Sequence, residues 1–245
     1  MGIAIALLLA YWVRFQLLTF HEQSFATQEF SRLFDLNGEA NIPSWYSCLL
    51  WQIAALRAFV LSRTDFGRTG GVPNRFFWIG LAATALLLSL DEAAQIHEMI
   101  GAIADRYGML LPVYSWIPFG TAFAVLLAVA FGRFILGLQH VVALTILASG
   151  FIFVLGAIGF ESLGALVELG SLGDFPLGIT WDQAVGLEEK CEMLGIILFG
   201  FALALQRRKT NVRYRDLGLS ATPQGDKAAH APPNAPNASG WEAPE

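Results

Sequence analysis

The side chains in this chain that could do chemistry are acids and histidines set where lipid-facing residues are expected. SLDEAAQIHE, residues 89 to 98, closes an apolar run, FFWIGLAATALLLSL, and supplies Asp91, Glu92, Gln95, His97 and Glu98. GLEEKCEMLG, residues 186 to 195, opens another apolar run and carries Glu188, Glu189 and Glu192. Glu161 closes a third, and His21 and Glu22 follow a fourth. Carboxylates joined by an imidazole are ordinary ligands for a divalent zinc, manganese or iron ion. A metal so held can activate a water or support redox chemistry. Acids within a membrane also mark proton and cation routes.

What positions these groups is set by hydropathy. The 245 residues are 55% hydrophobic and only 14% charged, against about a quarter charged in a soluble domain. Apolar stretches of about 20 residues, enough to cross a hydrocarbon core of about 30 Å, recur along the chain. The expected fold is an all-α polytopic transmembrane bundle of six helices, near 3–20, 44–62, 76–97, 116–138, 140–160 and 186–206. Helices satisfy their own backbone groups in lipid. The first is expected to be a retained helix: it lacks a basic leader, Arg14 interrupts it, and no A-x-A site follows. Apolar residues follow Met1 at once, as expected where translation starts further upstream. Residues 1–208 thus form the six-helix domain, and 209–245 a tail, basic and then disordered.

Loop charges give an orientation. The loop 63–75 holds three arginines and one acid, Arg133 ends the fourth span, and QRRKTNVRYR follows the sixth. The opposite loops, 21–43 and 161–185, are acidic. The positive-inside rule then puts both termini in the cytoplasm. A match to a glycosylation sequon at Asn237 is a chance one on that side. A net charge of −5, with few basic residues before the tail, excludes a nucleic-acid partner. The partners expected are membrane lipids; the oligomeric state is not encoded in any motif. Cys48 and Cys191 form no disulfide framework.

Depth follows from orientation. Asp91 lies 15 residues past Phe76, about 22 Å along a helix and so in the outer leaflet. Glu192 is level with it, while His97, Glu98, Glu161, Glu188 and Glu189 reach the outer boundary. On a continuous helix Asp91, Gln95 and Glu98 fall within about 60° of one another, with Glu92 beside them and His97 turned away. Glu188 and Glu192 share a face. One charge at mid-helix costs about 2.5–3.5 kcal/mol on insertion scales, so these groups are expected to face a polar pocket open to the outer surface. Asp91, Glu92, His97, Glu98, Glu161, Glu188, Glu189 and Glu192 are the candidate catalytic residues. Glu92, His97, Glu161, Glu188 and Glu192 are the candidate metal ligands. Neither an H-E-x-x-H motif nor the Glu-x-x-His pair of di-iron bundles is present.

Three readings of this pocket compete. One is a metal-dependent membrane enzyme acting on a lipid-like substrate. Another is a proton- or cation-coupled carrier, although the inner half offers few polar residues. In the third the network is structural, with Asp91 neutralising Arg14 and the acids at 188–189 capping a helix N-terminus. Arg57 is expected to snorkel to the cytoplasmic surface. Trp45, Trp51, Trp78, Trp116 and Tyr114 suit an interfacial belt, and Gly150, Gly156, Gly159, Gly195 and Gly200 suit close helix packing. Pro43 and Ser44 read as a helix start, with Asp35, Glu39 and Asn41 as a candidate lid.

Gly38-Glu39-Ala40-Asn41-Ile42-Pro43-Ser44-Trp45-Tyr46-Ser47, Ser89 to Glu98 and Glu188 to Gly195 resemble the motifs of a family of uncharacterised bacterial multi-pass membrane proteins. The resemblance covers about residues 32 to 206. It implies a bacterial inner-membrane setting and no particular activity.

Overall fold

The structure is a computed structural model describing residues 2–20, 24–38, 40–109, 111, 113–168, 170 and 178–216. His21, Glu22, Glu39, the segment 171–177 and the tail from 217, with its sequon, lie outside the described residues.

Among the described residues four helices are long and apolar enough to cross a membrane: Ile42–Thr64, Asn74–Ala94, Ile117–Leu136 and the continuous rod His140–Glu168. We label the helices in chain order. They are α1 (Gly2–Phe20), α2 (Phe25–Leu33), α3 (Ile42–Thr64), α4 (Asn74–Ala94), α5 (Ile96–Arg106) and α6 (Ile117–Leu136). The rod follows as α7 (His140–Val154), a π-helical segment (Leu155–Phe160) and α8 (Glu161–Glu168), and α9 (Trp181–Asp216) completes the chain. A two-stranded antiparallel hairpin pairs β1 (Arg68–Thr69) with β2 (Val72–Pro73), Thr69 opposite Val72.

Local chemistry sets the helix ends. α3 starts with a capping box: Asn41 Oδ1 accepts the Ser44 N–H at 3.1 Å, and Ser44 Oγ accepts the Asn41 N–H at 3.3 Å. The Asn41 amide also donates to the Asp35 carbonyl at 2.6 Å. Asn41 is therefore occupied in fixing a helix start, and the lid reading has no support from it. At α9, Thr180 Oγ1 accepts from the Gln183 N–H while Gln183 Oε1 accepts from the Thr180 N–H.

α9 packs along α3 and along the α7–α8 rod, and α3 packs along α4. Their shared apolar core includes Trp51, Ala54, Ala58, Trp78, Ala85, Phe134, Ile146, Ile196, Phe199 and Ala202. Small residues let these rods approach. A Cβ on Gly195 would stand 3.0 Å from the Phe153 backbone nitrogen, and one on Gly156 would stand 2.8 Å from the Glu188 carbonyl oxygen. Among the described residues nothing lies beside Gly150, so the packing role expected of it finds no support.

Several expectations are corrected. The apolar rod at 140 continues to Glu168, past its expected end at 160, and α9 starts at Trp181 and runs helically into the basic segment of the tail. The connections also hold two helices that apolar run length does not reveal, α2 and α5. α2 lets the chain fold back on α1, so Arg14 pairs with Asp35 at 2.7 Å and with Ser31 at 3.0 Å, not with Asp91. Arg57 does not reach for the surface; it donates to the Gly200 carbonyl of α9 at 2.6 Å, where a Cβ on Gly200 would crowd it at 3.3 Å. Trp51 and Trp78 are core residues, not belt residues. The Trp78 indole N–H donates to Asp65 at 2.8 Å, which is why it can be fully buried.

Candidate functional site

The site lies at the end of the bundle where α4 ends and α6 and α9 begin. α4 stops at Ala94 because Gln95 adopts a left-handed conformation, φ 52 and ψ 45. The chain turns there and restarts as α5, so the face argument for an unbroken helix through residue 98 fails. The turn brings His97 back onto Asp91, whereas a continuous helix would have pointed it away. Asp91 Oδ1 accepts the His97 backbone N–H at 2.8 Å, and Asp91 Oδ2 lies 2.9 Å from His97 Nδ1. One carboxylate thus fixes both the backbone and the ring of the histidine. A hydrogen on Nδ1 directed at Asp91 leaves Nε2, on the opposite ring edge, as the basic nitrogen of the neutral imidazole.

The tryptophan that precedes α6 joins this pair to the next element. The Trp116 ring packs against the His97 ring with centroids 4.9 Å apart. Its indole N–H donates to Glu161 Oε1 at 2.7 Å. Glu161 occupies the first position after the π-helical segment. The wider turn of a π-helix shifts the register of everything beyond it, and such segments recur at functional sites. On the same segment Gly156 lies against Glu188, Cys191 and Glu192 of α9.

The remaining acids gather around this frame. Glu161 is within electrostatic reach of His97, Glu98 and Asp91. Glu188 is within reach of Glu161, His97 and Glu92, and Glu192 within reach of Glu92, Glu189, Glu188 and Glu161. The residues singled out from sequence thus occupy one neighbourhood, with Glu98 exposed at its rim and the others half-buried. Among the described residues no lysine or arginine pairs with Glu161, Glu188 or Glu192. No three His, Cys, Asp or Glu side chains among the described residues stand as a group that could hold a metal ion.

Sequence reasoning missed Trp116 as a site residue and kept Gln95 on the polar stripe of an unbroken helix, whereas it is the residue that breaks it. Trp116 carried a signal, since an indole N–H at the start of an apolar helix needs an acceptor. Gln95 carried none, being an ordinary helix former. Also missed was an outer layer: Trp181 Nε1 donates to Tyr114 Oη at 3.5 Å, and the Tyr114 hydroxyl donates to Glu168. Burial, and then the Glu168 bond, push the Tyr114 phenol up to about 12.

A family model for a domain of unknown function, DUF8692, matches residues 1–206. The chain belongs to that family. The match ends in α9 and takes in Asp91, His97, Trp116, Glu161, Glu188 and Glu192. No curated protein and no solved structure matches the chain.

Proposed function

We propose that this member of the DUF8692 family is a bacterial inner-membrane protein of six crossings whose periplasmic end carries an acid–base centre acting on an amphipathic substrate. α1 and the first half of α9 add the two crossings to the four apolar rods. Arg63, Arg68, Arg75, Arg133, Arg207 and Arg208 gather toward the opposite end, which the positive-inside rule assigns to the cytoplasm along with both termini.

The observation that carries the chemical reading is the double hold of Asp91 on His97. That carboxylate fixes the tautomer and steadies the imidazolium that forms when Nε2 takes a proton, the role a buried acid plays beside a catalytic histidine. Glu161, itself oriented by Trp116 and within electrostatic reach of His97, is the partner for the returning proton. His97 is the general base, Asp91 its orienting residue and Glu161 the acid. Hydrolysis or group transfer at the membrane surface is the class of reaction such a set serves. Below the site the bundle is filled by Trp51, Ala54, Ile196 and Phe199. This apolar floor favours a centre served from one side over a carrier.

The test is reconstitution into liposomes of extracted bacterial lipids, with mass spectrometry of the lipids before and after incubation. Wild type should convert a lipid or added amphiphile, His97→Ala should abolish conversion, and Asp91→Asn should reduce it by orders of magnitude. No conversion by wild type, together with proton flux lost in Asp91→Asn, would replace the enzyme with the carrier. Metal dependence of the same enzyme is a second reading, favoured by the oxygen and nitrogen donors of Glu92, His97, Glu161, Glu188 and Glu192. It requires side-chain rearrangement, since no ready metal-binding group occurs among the described residues. Metal analysis of wild type beside Glu92→Ala and Glu192→Ala decides it, and no stoichiometric metal in wild type removes it.

A further inference from the structure

α5 divides into three longitudinal faces, and the division says what each one touches. At about 100° per residue, Met99, Ile103 and Tyr107 form one stripe. These side chains are 55%, 49% and 86% exposed. Next around the helix come Ala104, His97 and Gly101, the side that packs inward; Gly101 and Ala104 are buried, and a Cβ on Gly101 would lie 3.5 Å from Trp116 Cβ. The third face carries Asp105, Glu98, Ala102 and Arg106, all exposed. The histidine of the site thus sits on the protein side, with an apolar edge to one flank and a charged edge to the other.

Chain connectivity fixes where this helix lies. A single residue, Gln95, separates it from α4, whose last turns expose Leu86, Leu87 and Leu90. Ten residues separate α5 from α6, which exposes Phe119 in its first turn. Both neighbours are helices long and apolar enough to cross a membrane, so α5 is held at the membrane boundary they share. Its 11 residues span about 16 Å, too short to cross. Met109 and Leu111, just past its end, are exposed apolar side chains too. A helix with a sharp apolar stripe at that level lies in the plane of the interface, with its apolar side among the acyl chains.

We propose that α5 is an interfacial helix that seats Met99, Ile103 and Tyr107 in the outer leaflet of the bilayer, so that the His97 centre is reached sideways from lipid. The occupant of the exposed stripe is the lipid surface itself, continuous with the lipid-facing sides of α4 and α6. The substrate class follows, and this part rests on the acid–base reading above: an amphiphile whose tails remain in the leaflet while its polar head meets His97.

The experiment places single nitroxide labels at Glu98→Cys, Met99→Cys, Ala102→Cys and Ile103→Cys, in a Cys48→Ser, Cys191→Ala background reconstituted into phospholipid vesicles. Collision with oxygen is compared with collision with a water-soluble nickel chelate. Labels at 99 and 103 should favour oxygen several-fold more than those at 98 and 102. Equal exposure of all four to the nickel chelate would overturn the proposal, as would labels at 99 and 103 shielded from both probes or broadened by a second copy. The Met99 and Ile103 labels are read separately, so one poorly folding variant leaves the other to decide. No turnover is needed. A lipid-seated α5 without lipid conversion would therefore sink the enzyme and keep the helix, and the converse result would do the reverse.

Discussion

Gly156→Ala tests the close approach that holds the two acidic elements together. The substituted Cβ would stand 2.8 Å from the Glu188 carbonyl oxygen, 2.9 Å from Glu192 Cγ and 3.1 Å from Cys191 Cβ. Comfortable contact distances are about 3.5–4.0 Å. The π-helical segment and α9 must therefore separate by about 0.5 Å or more, because two of the three neighbours are backbone or the first side-chain carbon. Overpacking of this kind costs about 1–3 kcal/mol. Replacing a helical glycine by alanine returns about 0.5–1 kcal/mol, so the net loss is about 0.5–2 kcal/mol. Gly150→Ala is the internal control: none of the described residues lies within 4 Å of its Cβ, and only the favourable part remains. Denaturant or thermal unfolding of the detergent-solubilised protein reads both. Gly156→Ala should be the less stable variant, and because it pushes Glu188 and Glu192 away from Glu161 it should also weaken any activity of the site. Equal stability of Gly156→Ala and Gly150→Ala would refute the close-approach reasoning.

Three further outcomes are expected. Trp78→Phe should cost about 2 kcal/mol more than Trp51→Phe in the same unfolding assay. The first removes a bond to a carboxylate, whereas the Trp51 indole N–H is a buried side-chain polar atom with no partner among the described residues. Asp35→Ala should destabilise by about 3 kcal/mol by stranding a largely buried Arg14 guanidinium, and Arg14→Met with Asp35→Ala should recover much of that loss; a double-mutant cycle without coupling would refute it. The Tyr114 phenol ionises near 12 when folded and near its ordinary value of 10 when unfolded. Its contribution to stability is therefore full below pH 10 and lost as pH rises toward 12. Ultraviolet titration should show one phenol fewer ionising late in Tyr114→Phe.

The long rods were legible because lipid imposes a requirement that a sequence cannot hide: about 20 consecutive, predominantly apolar residues. Short helices escape that rule. α2 and α5 mix polar and apolar residues and sit between longer runs, so hydropathy registers them as loops. With α2 unseen, depth offers a carboxylate such as Asp91 to Arg14, whereas the fold supplies Asp35. Tryptophan was ambiguous for a different reason. The same side chain serves an interface or a core; Trp78 finds an acceptor in Asp65 and Trp51 is buried without one among the described residues, so residue type does not tell the two apart. The acids of the site were legible as a group because their burial needs compensation wherever they lie. Their arrangement was not, because it depends on two departures from regular helix that no residue type announces. Gln95 is neither glycine nor proline, and Leu155–Phe160 contains nothing that specifies a π-turn.

Those two departures are the strongest physical argument that the site is more than a satisfied polar network. A non-glycine residue in the left-handed region costs about 1 kcal/mol or more, and glycine at position 95 would have made the same turn without that penalty. A π-helical segment gives up ideal helix packing. Both occur at the acidic end of the bundle, and each places a group of the centre: the break at Gln95 returns His97 to Asp91, and the π-segment presents Glu161 to Trp116 while pressing Gly156 against Glu188 and Glu192. A purely structural network would be served as well by apolar replacements, which often match or exceed buried charges in stability. Departures from regular helix at two separate points, converging on one imidazole and its carboxylates, support the proposed acid–base centre over a purely structural network. If Gln95→Gly stabilised the protein yet left the Asp91–His97 pair and every activity of the site unchanged, that inference would fail.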